Sequence, residues 1–465
     1  MNPAPRDEHA PYDSDALLRG LLSDSAQNTL PQSIVRVDAR AIADPVLGII
    51  EHATLVLERA DGLVRVRFAG ETPSLPQELT HQRIPQLTLH DQLLMPALCN
   101  AHTHLDLTHI GPQPHVPGDG FVRWVDMIRA NRAIEDAQIG ECVRQGIERS
   151  LAGGVIAVGD IAGAPAGRLS GAPIRTLARS PLIGVSYLEF FGIGASAPGA
   201  IRRVEAFLRE QYPDLSTALQ GSGVRLGLQP HATNTIDLSV YTWVAQAAAE
   251  LGLPTCTHLA ETPEERQFVE QGTGPQREML ERFGVWEDSI LHMLGKGKHP
   301  IEHLRPALQI APMLVAHVND ATDEGIELLA ETHTSVAYCP RASRYFQAAN
   351  HFGPHRYQDM LDAGINVCLG TDSIVNLDTP HRMSTLDEMR LLWHENRPGP
   401  KQLLAMGTIN GAKAIGLDQD RFRLNADATP AGVIAVEVSD GCPDGRVWAD
   451  VMGSKSAPTW VYRGV

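Results

Sequence analysis

The sequence predicts an α/β fold, a (β/α)8 barrel of the TIM type, with a small flanking β-domain built from both chain ends. Three observations carry this expectation. Eight short apolar strand candidates alternate with helix-like segments over about 275 residues, the size and count of such a barrel. Both ends of the chain show strand texture of another kind, with apolar and polar residues alternating. The rival, a doubly wound open sheet, is disfavoured because no Gly-rich phosphate loop follows any strand candidate.

Composition sets the outer limits. With 465 residues, the chain is expected to hold one large domain and a smaller companion. The hydrophobic fraction of 43% supplies an ample core. A net charge of −16 without any Lys/Arg run argues against nucleic acid or an anionic membrane as partner. No apolar stretch of about 18 residues is long enough to span a bilayer. The first thirty residues are polar and acidic, unlike a signal peptide. The six cysteines are scattered through apolar runs, which reads as reduced thiols and a cytoplasmic location. The expected partner is a small-molecule substrate, and a homo-oligomer stays open.

Taken in order, residues 1–30 read as an extension with a helical turn or two around Asp15–Leu22. Residues 31–92 and 418–465 read as one small β-sandwich-like domain. Its strand texture runs through Ile34–Val37, Ala53–Leu57 and Leu63–Phe68, broken at Asp61-Gly62, and returns in Gly432–Val438, Arg446–Met452 and Thr459–Tyr462. Residues 93–417 read as the barrel. Its strand candidates are 93–101, Val155–Ile161, Leu182–Phe190, Val224–Gln229, Thr255–His258, Met313–His317, Ser335–Tyr338 and Ile365–Leu369. The clear helices between them are Gln138–Leu151, Leu238–Leu251, Asp323–Glu331 and Tyr357–Ala363.

In a barrel of this kind the chemistry sits where strands open into loops at their C-terminal ends. The first strand ends Ala101-His102-Thr103-His104, and side chains two apart on a strand point the same way. Two converging imidazoles are half of a metal site. Nineteen histidines yield roughly one His-x-His by chance, so distant partners are needed. The other strand ends supply them. The third ends at Glu189, the fourth at His231, the fifth at His258-Leu259-Ala260-Glu261, the sixth at His317, the seventh at Cys339-Pro340-Arg341 and the eighth at Gly370-Thr371-Asp372-Ser373.

These motifs, from Met95-Pro96-Ala97 through His-Thr-His, His-x-x-Glu, the later histidine and Gly-Thr-Asp-Ser, resemble the amidohydrolase superfamily. Within it they are similar to the branch of cytosine, guanine and adenosyl-type deaminases and chlorohydrolases, over roughly residues 90–415. The resemblance implies that His102, His104, His258 and Asp372 hold one divalent metal ion, zinc ahead of iron. It makes Glu261 and His317 proton-transfer groups, Asp372 a base as well as a ligand, and His231 a substrate contact. Such an ion lowers the pKa of its water from 15.7 toward about 7. Binuclear members bridge two ions with a carboxylated lysine at the end of strand four, but the first lysine of this chain is Lys296, so a single ion is expected. In many relatives an Asn follows the serine of the turn Pro340-Arg341-Ala342-Ser343, where this chain has Arg344.

Two further substrate-pocket candidates carry bland alternatives. Glu189 is equally readable as an ordinary strand end, and Trp124 as packing a helix over the barrel mouth. Arg341 and Arg344 could serve an anionic substrate group or be surface charge. His292, His299, His303, His351 and His355 read as surface or loop histidines. The connection from Glu261 to Met313 is longer than a barrel helix requires, so residues 263–300 are expected to border the pocket. The expected activity is hydrolysis of a non-peptide C–N bond, with deamination of a purine-, pyrimidine- or adenosyl-type molecule leading. Chlorohydrolase, amidase and formimino hydrolase chemistry on the same core remain alternatives, as does a catalytically dead binding relative.

Overall fold

A computed structural model describes residues 33–60, 62–81, 84–116, 118 and 120–464. The N-terminal extension and its expected helical turn lie outside the described residues. The chain divides into two compact units, one ending at Ala97 and resuming at Asp420, the other running from Leu98 to Gln419.

The first unit is built on a six-stranded sheet. Its strands are β1 (Ser33–Asp44), β2 (Gly48–Ala60), β3 (Leu63–Glu71), β4 (Gln86–Pro96), β13 (Gly432–Glu437) and β14 (Thr459–Arg463), in the order β14-β13-β4-β1-β2-β3. β1, β2 and β3 form an antiparallel meander, and the β2–β3 hairpin turns at Gly62, whose φ of 78° suits glycine. One face buries Val35, Val37, Leu55, Leu57, Leu94 and Val433. The other is covered around Val56 by Leu75 and Leu79. A sandwich of two sheets was expected here; the described residues of this unit form one sheet. The segment expected as a strand at Arg446–Met452 is instead a helix, Val447–Gly453. Its buried residues Val447, Trp448, Val451 and Met452 recur at helical rather than alternating spacing.

The second unit holds eight parallel strands in two four-stranded sheets. The first contains β5 (Leu98–Thr103), β6 (Val155–Ala162), β7 (Ile183–Phe190) and β8 (Val224–Pro230), hydrogen-bonded in that order. The second runs β9 (Cys256–Leu259), β10 (Leu314–His317), β11 (Ser335–Tyr338) and β12 (Val367–Leu369). Between the two sheets the strand pairing among the described residues consists of isolated bridges, Leu228 to Thr255, Ala232 to His258, and Thr103 to Asp372. Strands buried on both faces read as continuous apolar runs, as in Val-Ile-Ala-Val-Gly-Asp-Ile-Ala of β6, every residue of which is buried. The apolar run 93–101, expected as one strand, belongs to two: β4 ends at Pro96 and β5 begins at Leu98.

Helices fill the connections and begin and end where local chemistry directs. Leu238–Leu251 is capped by Asp237, whose carboxylate accepts from the Ser239 N–H, and stops at Gly252 in the left-handed region. Asp136–Ala152, Asp323–Glu331 and Tyr357–Asp362 lie where sequence periodicity expects them.

Candidate active site

The C-terminal strand ends carry an unusual concentration of strained backbone. Ala260, His317, Val318 and Asp372 all have positive φ, between 51° and 73°. Non-glycine residues there persist where the surroundings over-determine them, as at functional sites. Asp372 is held by β5: the His102 carbonyl accepts from the Thr371 and Asp372 N–H groups at 3.1 Å each, and Thr103 Oγ1 donates to the Asp372 carbonyl at 3.1 Å. Asn100 and Thr371 bond reciprocally at 2.8 and 3.0 Å. Gly370 lets this happen, since a Cβ there would fall 2.9 Å from both the Cβ and the carbonyl oxygen of His102.

These constraints bring one buried cluster together. His104 Nε2 lies 3.3 Å from His258 Nε2 and 3.4 Å from Asp372 Oδ1, and His102 Nε2 lies 3.9 Å from the same oxygen. Ligand atoms around a tetrahedral ion with bonds of about 2.1 Å sit about 3.4 Å apart, so the spacing fits a metal. The donor chemistry fits too. His102 Nε2 and His104 Nδ1 are buried without a hydrogen-bond partner, polar atoms that the described residues leave unsatisfied. His258 Nδ1 is turned to the His231 carbonyl at 3.0 Å, which leaves its Nε2 lone pair for the cluster. His102, His104 and His258 form one group able to hold an ion, and His102, His317 and Asp372 another.

Around the cluster stand the remaining candidates. His317 Nε2 lies 3.6 Å from Glu261 Oε1. His231 has its ring 5.0 Å from that of His258, and its Nδ1 is 2.7 Å from Thr235 Oγ1. Since the Thr235 hydroxyl donates to the Ala232 carbonyl, it accepts from His231 Nδ1 and leaves Nε2 as the acceptor nitrogen. His104, His231, Glu189 and Trp124 line a cavity of about 520 Å3, whose walls are mainly apolar and include Phe121, Ile128, Phe191 and Phe283.

Burial dominates the electrostatics. It holds the imidazoles of His102, His104, His231 and His317 well below the ordinary histidine range, with neighbouring histidines adding to the effect, and lowers that of His258. Neutral imidazoles are the ligand form. The Asp372 carboxyl is pushed up to about 7 by burial. Burial, reinforced by the negative charges of Asp372, Glu265 and Glu264, raises Glu261 well above the usual carboxyl range, which favours its protonated form.

The amidohydrolase family profile matches residues 93–421, most of the chain. The chain belongs to the amidohydrolase family. It is therefore a hydrolase acting on carbon–nitrogen bonds. The aminodeoxyfutalosine deaminase of Deinococcus radiodurans is 27% identical over 341 residues, 70% of this chain and 73% of that protein. The Helicobacter pylori aminofutalosine deaminase structure superposes with a TM-score of 0.72 at 19% identity, covering 93% of this chain and 100% of the other. An atrazine chlorohydrolase mutant of Arthrobacter aurescens, complexed with zinc and atraton, gives 0.67 at 18% identity, over 91% and 93% of the two chains. The amidohydrolase site thus has the donor set for a divalent metal, on a fold that holds zinc elsewhere.

Several residues of this amidohydrolase escaped the sequence reading. Arg132 donates to Asp106 at 2.8 and 3.0 Å and lies 3.5 Å from Glu189, forming a largely buried triad of which Arg132 and Glu189 line the cavity. Its room comes from Gly163, where a Cβ would fall 1.3 Å from Arg132 Nη2. Breaking such a buried pair costs ~3–5 kcal/mol. Nothing local marks it, because its members lie far apart in sequence. Arg341 proves to be structural, buried with Nε 2.5 Å from Glu388, while Arg344 is exposed and pairs with Glu395 at 2.9 Å. Two histidines expected at the surface or in loops are not free there. His303 is buried, and His355 stacks on Tyr338 at 3.6 Å with its Nε2 2.9 Å from the His317 carbonyl.

Proposed function

We propose that this amidohydrolase is an aminohydrolase that removes the 6-amino group of an adenosine-type nucleoside bearing an apolar 5′ substituent. The cavity carries this reading. Its 520 Å3 lies within the ~300–1,000 Å3 of small-molecule sites, its walls are mainly aromatic and aliphatic, and His104, Glu189 and His231 give it a polar end beside the histidine cluster. A planar base directed to that end leaves the apolar remainder for a 5′ group. The deaminases similar to this chain support the choice over dechlorination, as does a site supplied with buried acid groups, since an amino group leaves as ammonia only with a proton, which chloride does not need.

His102, His104, His258 and Asp372 would hold one ion, zinc ahead of iron, which supplies Lewis acidity toward a water molecule. Asp372 accepts the proton of the attacking water at Oδ1 and passes it to the amino nitrogen as the C–N bond breaks, so that ammonia leaves, while Asn376 Nδ2 holds its Oδ2 at 2.5 Å. Glu261 delivers its proton to the purine ring nitrogen beside the amino-bearing carbon. His317 orients the attacking oxygen, and His231 Nε2 contacts the base. Glu189, held by Arg132, and Trp124 line the substrate end. The two four-stranded sheets, with isolated bridges along both free edges, are read as one closed (β/α)8 barrel (residues 93–417), and residues 31–92 with 418–465 as a companion β-domain. The six unpaired cysteines support a reducing, cytoplasmic setting.

The test is ammonia release from adenosine, 5-methylthioadenosine and aminodeoxyfutalosine, with adenine and cytosine as controls. A nucleoside with an apolar 5′ group is expected to give the highest kcat/KM, and Glu261→Gln to lower it by roughly 10²–10⁴ while retaining the metal. Ammonia from none of them, or undiminished turnover by Glu261→Gln, would refute the reading.

A further inference from the structure

Glu261 stands at the end of the turn after β9, next to Ala260 with its φ of 51°. Such a turn has no intrinsic reason to stay where it is. Its hold comes from Glu265, the third residue of the helix Pro263–Gln271, which is 3% exposed. Glu265 Oε1 accepts from the Ala260 N–H at 3.0 Å and from the Thr233 hydroxyl at 2.6 Å, and Oε2 accepts from the Glu261 N–H at 2.7 Å. In a capping box, an acid at this position bonds the N–H of the N-cap residue. Here the cap Thr262 does accept from the Glu265 N–H at 3.2 Å, but the carboxylate reaches further back, past Thr262. It therefore serves the strand-end turn and ties it to the loop after β8.

The other side of Glu261 is held as well. Asn319 Nδ2 donates to the Glu261 carbonyl at 3.0 Å, and Ser343 Oγ donates to Asn319 Oδ1 at 2.6 Å, which fixes the orientation of the amide. Asn319 and Ser343 are buried; Asn319 comes from the loop after β10, and Ser343 from the helix Pro340–Tyr345 that follows β11. Both backbone ends of one residue are thus gripped by side chains from separate elements, a helix on one side and a loop on the other.

We propose that Glu265 and Asn319 are positioning residues which together clamp the main chain of Glu261 and so set the reach of its carboxyl toward substrate. The clamp rests on the assignment of Glu261 as proton donor. A donor acts within hydrogen-bond reach, about 2.6–3.2 Å, and a displacement of about 1 Å costs up to roughly 10² in rate.

A double-variant cycle separates this role from simple helix capping. Glu265→Gln and Asn319→Ala are each expected to lower kcat roughly ten- to hundredfold, to shift KM by less than about threefold, and to leave the bound metal unchanged. Combined with Glu261→Gln, each should add less than about twofold, because there is no longer a donor to position. Losses that multiply in the double variants, or an unchanged kcat in the single ones, overturn the clamp. If Glu265→Gln does not fold, the Asn319→Ala cycle decides by the same criteria. Near-wild-type turnover of Glu261→Gln alone overturns the donor assignment and the clamp with it; a slow Glu261→Gln beside unimpaired clamp variants overturns the clamp alone.

Discussion

Asp160 illustrates how much a single buried carboxyl can govern. It is fully buried in β6, where it accepts from the Leu105 N–H at 3.1 Å and lies 3.3 Å from Ser186 Oγ. Burial, helped by the charge of Asp106, pushes its pKa from 3.8 up to about 8. Between those values the folded state keeps a proton that the unfolded chain has lost, so stability falls as pH rises, by at most about 1.4 kcal/mol per pH unit. Asp160→Asn removes the titration and keeps an acceptor for Leu105. Denaturant unfolding at several pH values is expected to show the variant gaining on the wild type from pH 5 to 8, whereas a constant difference would count against it. Asp160 was not legible in the sequence, because an acid inside an apolar run announces neither its burial nor its neighbours. His102 and His104 were legible, since their i, i+2 spacing on a strand is itself geometric.

The roof of the cavity shows what an element adds to its residues. The helix Gly120–Asn131 and the segment Pro263–Val285 meet where Glu264 accepts from the Phe121 N–H at 3.3 Å and Arg282 pairs with Asp126 at 2.7 Å. Val122 and Val125 pack against a core of Phe268, Met279 and Leu280. Met279, Leu280, Phe283 and Val285 then face the cavity, so part of the long connection 263–300 borders it. The excess length of that connection was readable as a chain count, but which of its residues turn inward was not, since that depends on docking against a helix 140 residues away. Phe283, half-buried against that core and under the guanidinium of Arg129 at 3.6 Å, also lines the cavity. Phe283→Ala is expected to raise KM by roughly 5–30-fold, the worth of about 1–2 kcal/mol of apolar contact, with kcat and metal content unchanged. Steady-state kinetics on the best nucleoside checks it; an unaltered KM would remove Phe283 from the substrate surface. Elements were misread where a periodic signal was short, as at Arg446–Met452, or where one apolar run served two strands, as at 93–101.

At the scale of the whole molecule, the proposed metal ligands are divided between the sheets. His102 lies in β5 and His104 just beyond it in one, while His258 lies in β9 and Asp372 follows β12 in the other. The alternation of strands and helices made eight parallel strands legible, but not the interrupted ladders between them, because register along an edge is set by side chains on both sides. Removal of the ion by a chelator is expected to lower Tm by at least about 5 °C, as the loss of a ligand bound well above its Kd should. Restoration by one equivalent of zinc, but no further gain from a second, would agree with a single ion; a gain continuing to two equivalents would not. The isolated bridges at Leu228–Thr255, Ala232–His258 and Thr103–Asp372 foretell where the damage falls. An ion fastened to both sheets works as a clasp across two perforated lines, so the apo-protein should tear along them. In deuterium exchange, amides beside those bridges would lose protection first and together, while the middle of each sheet, β6–β7 and β10–β11, stays closed.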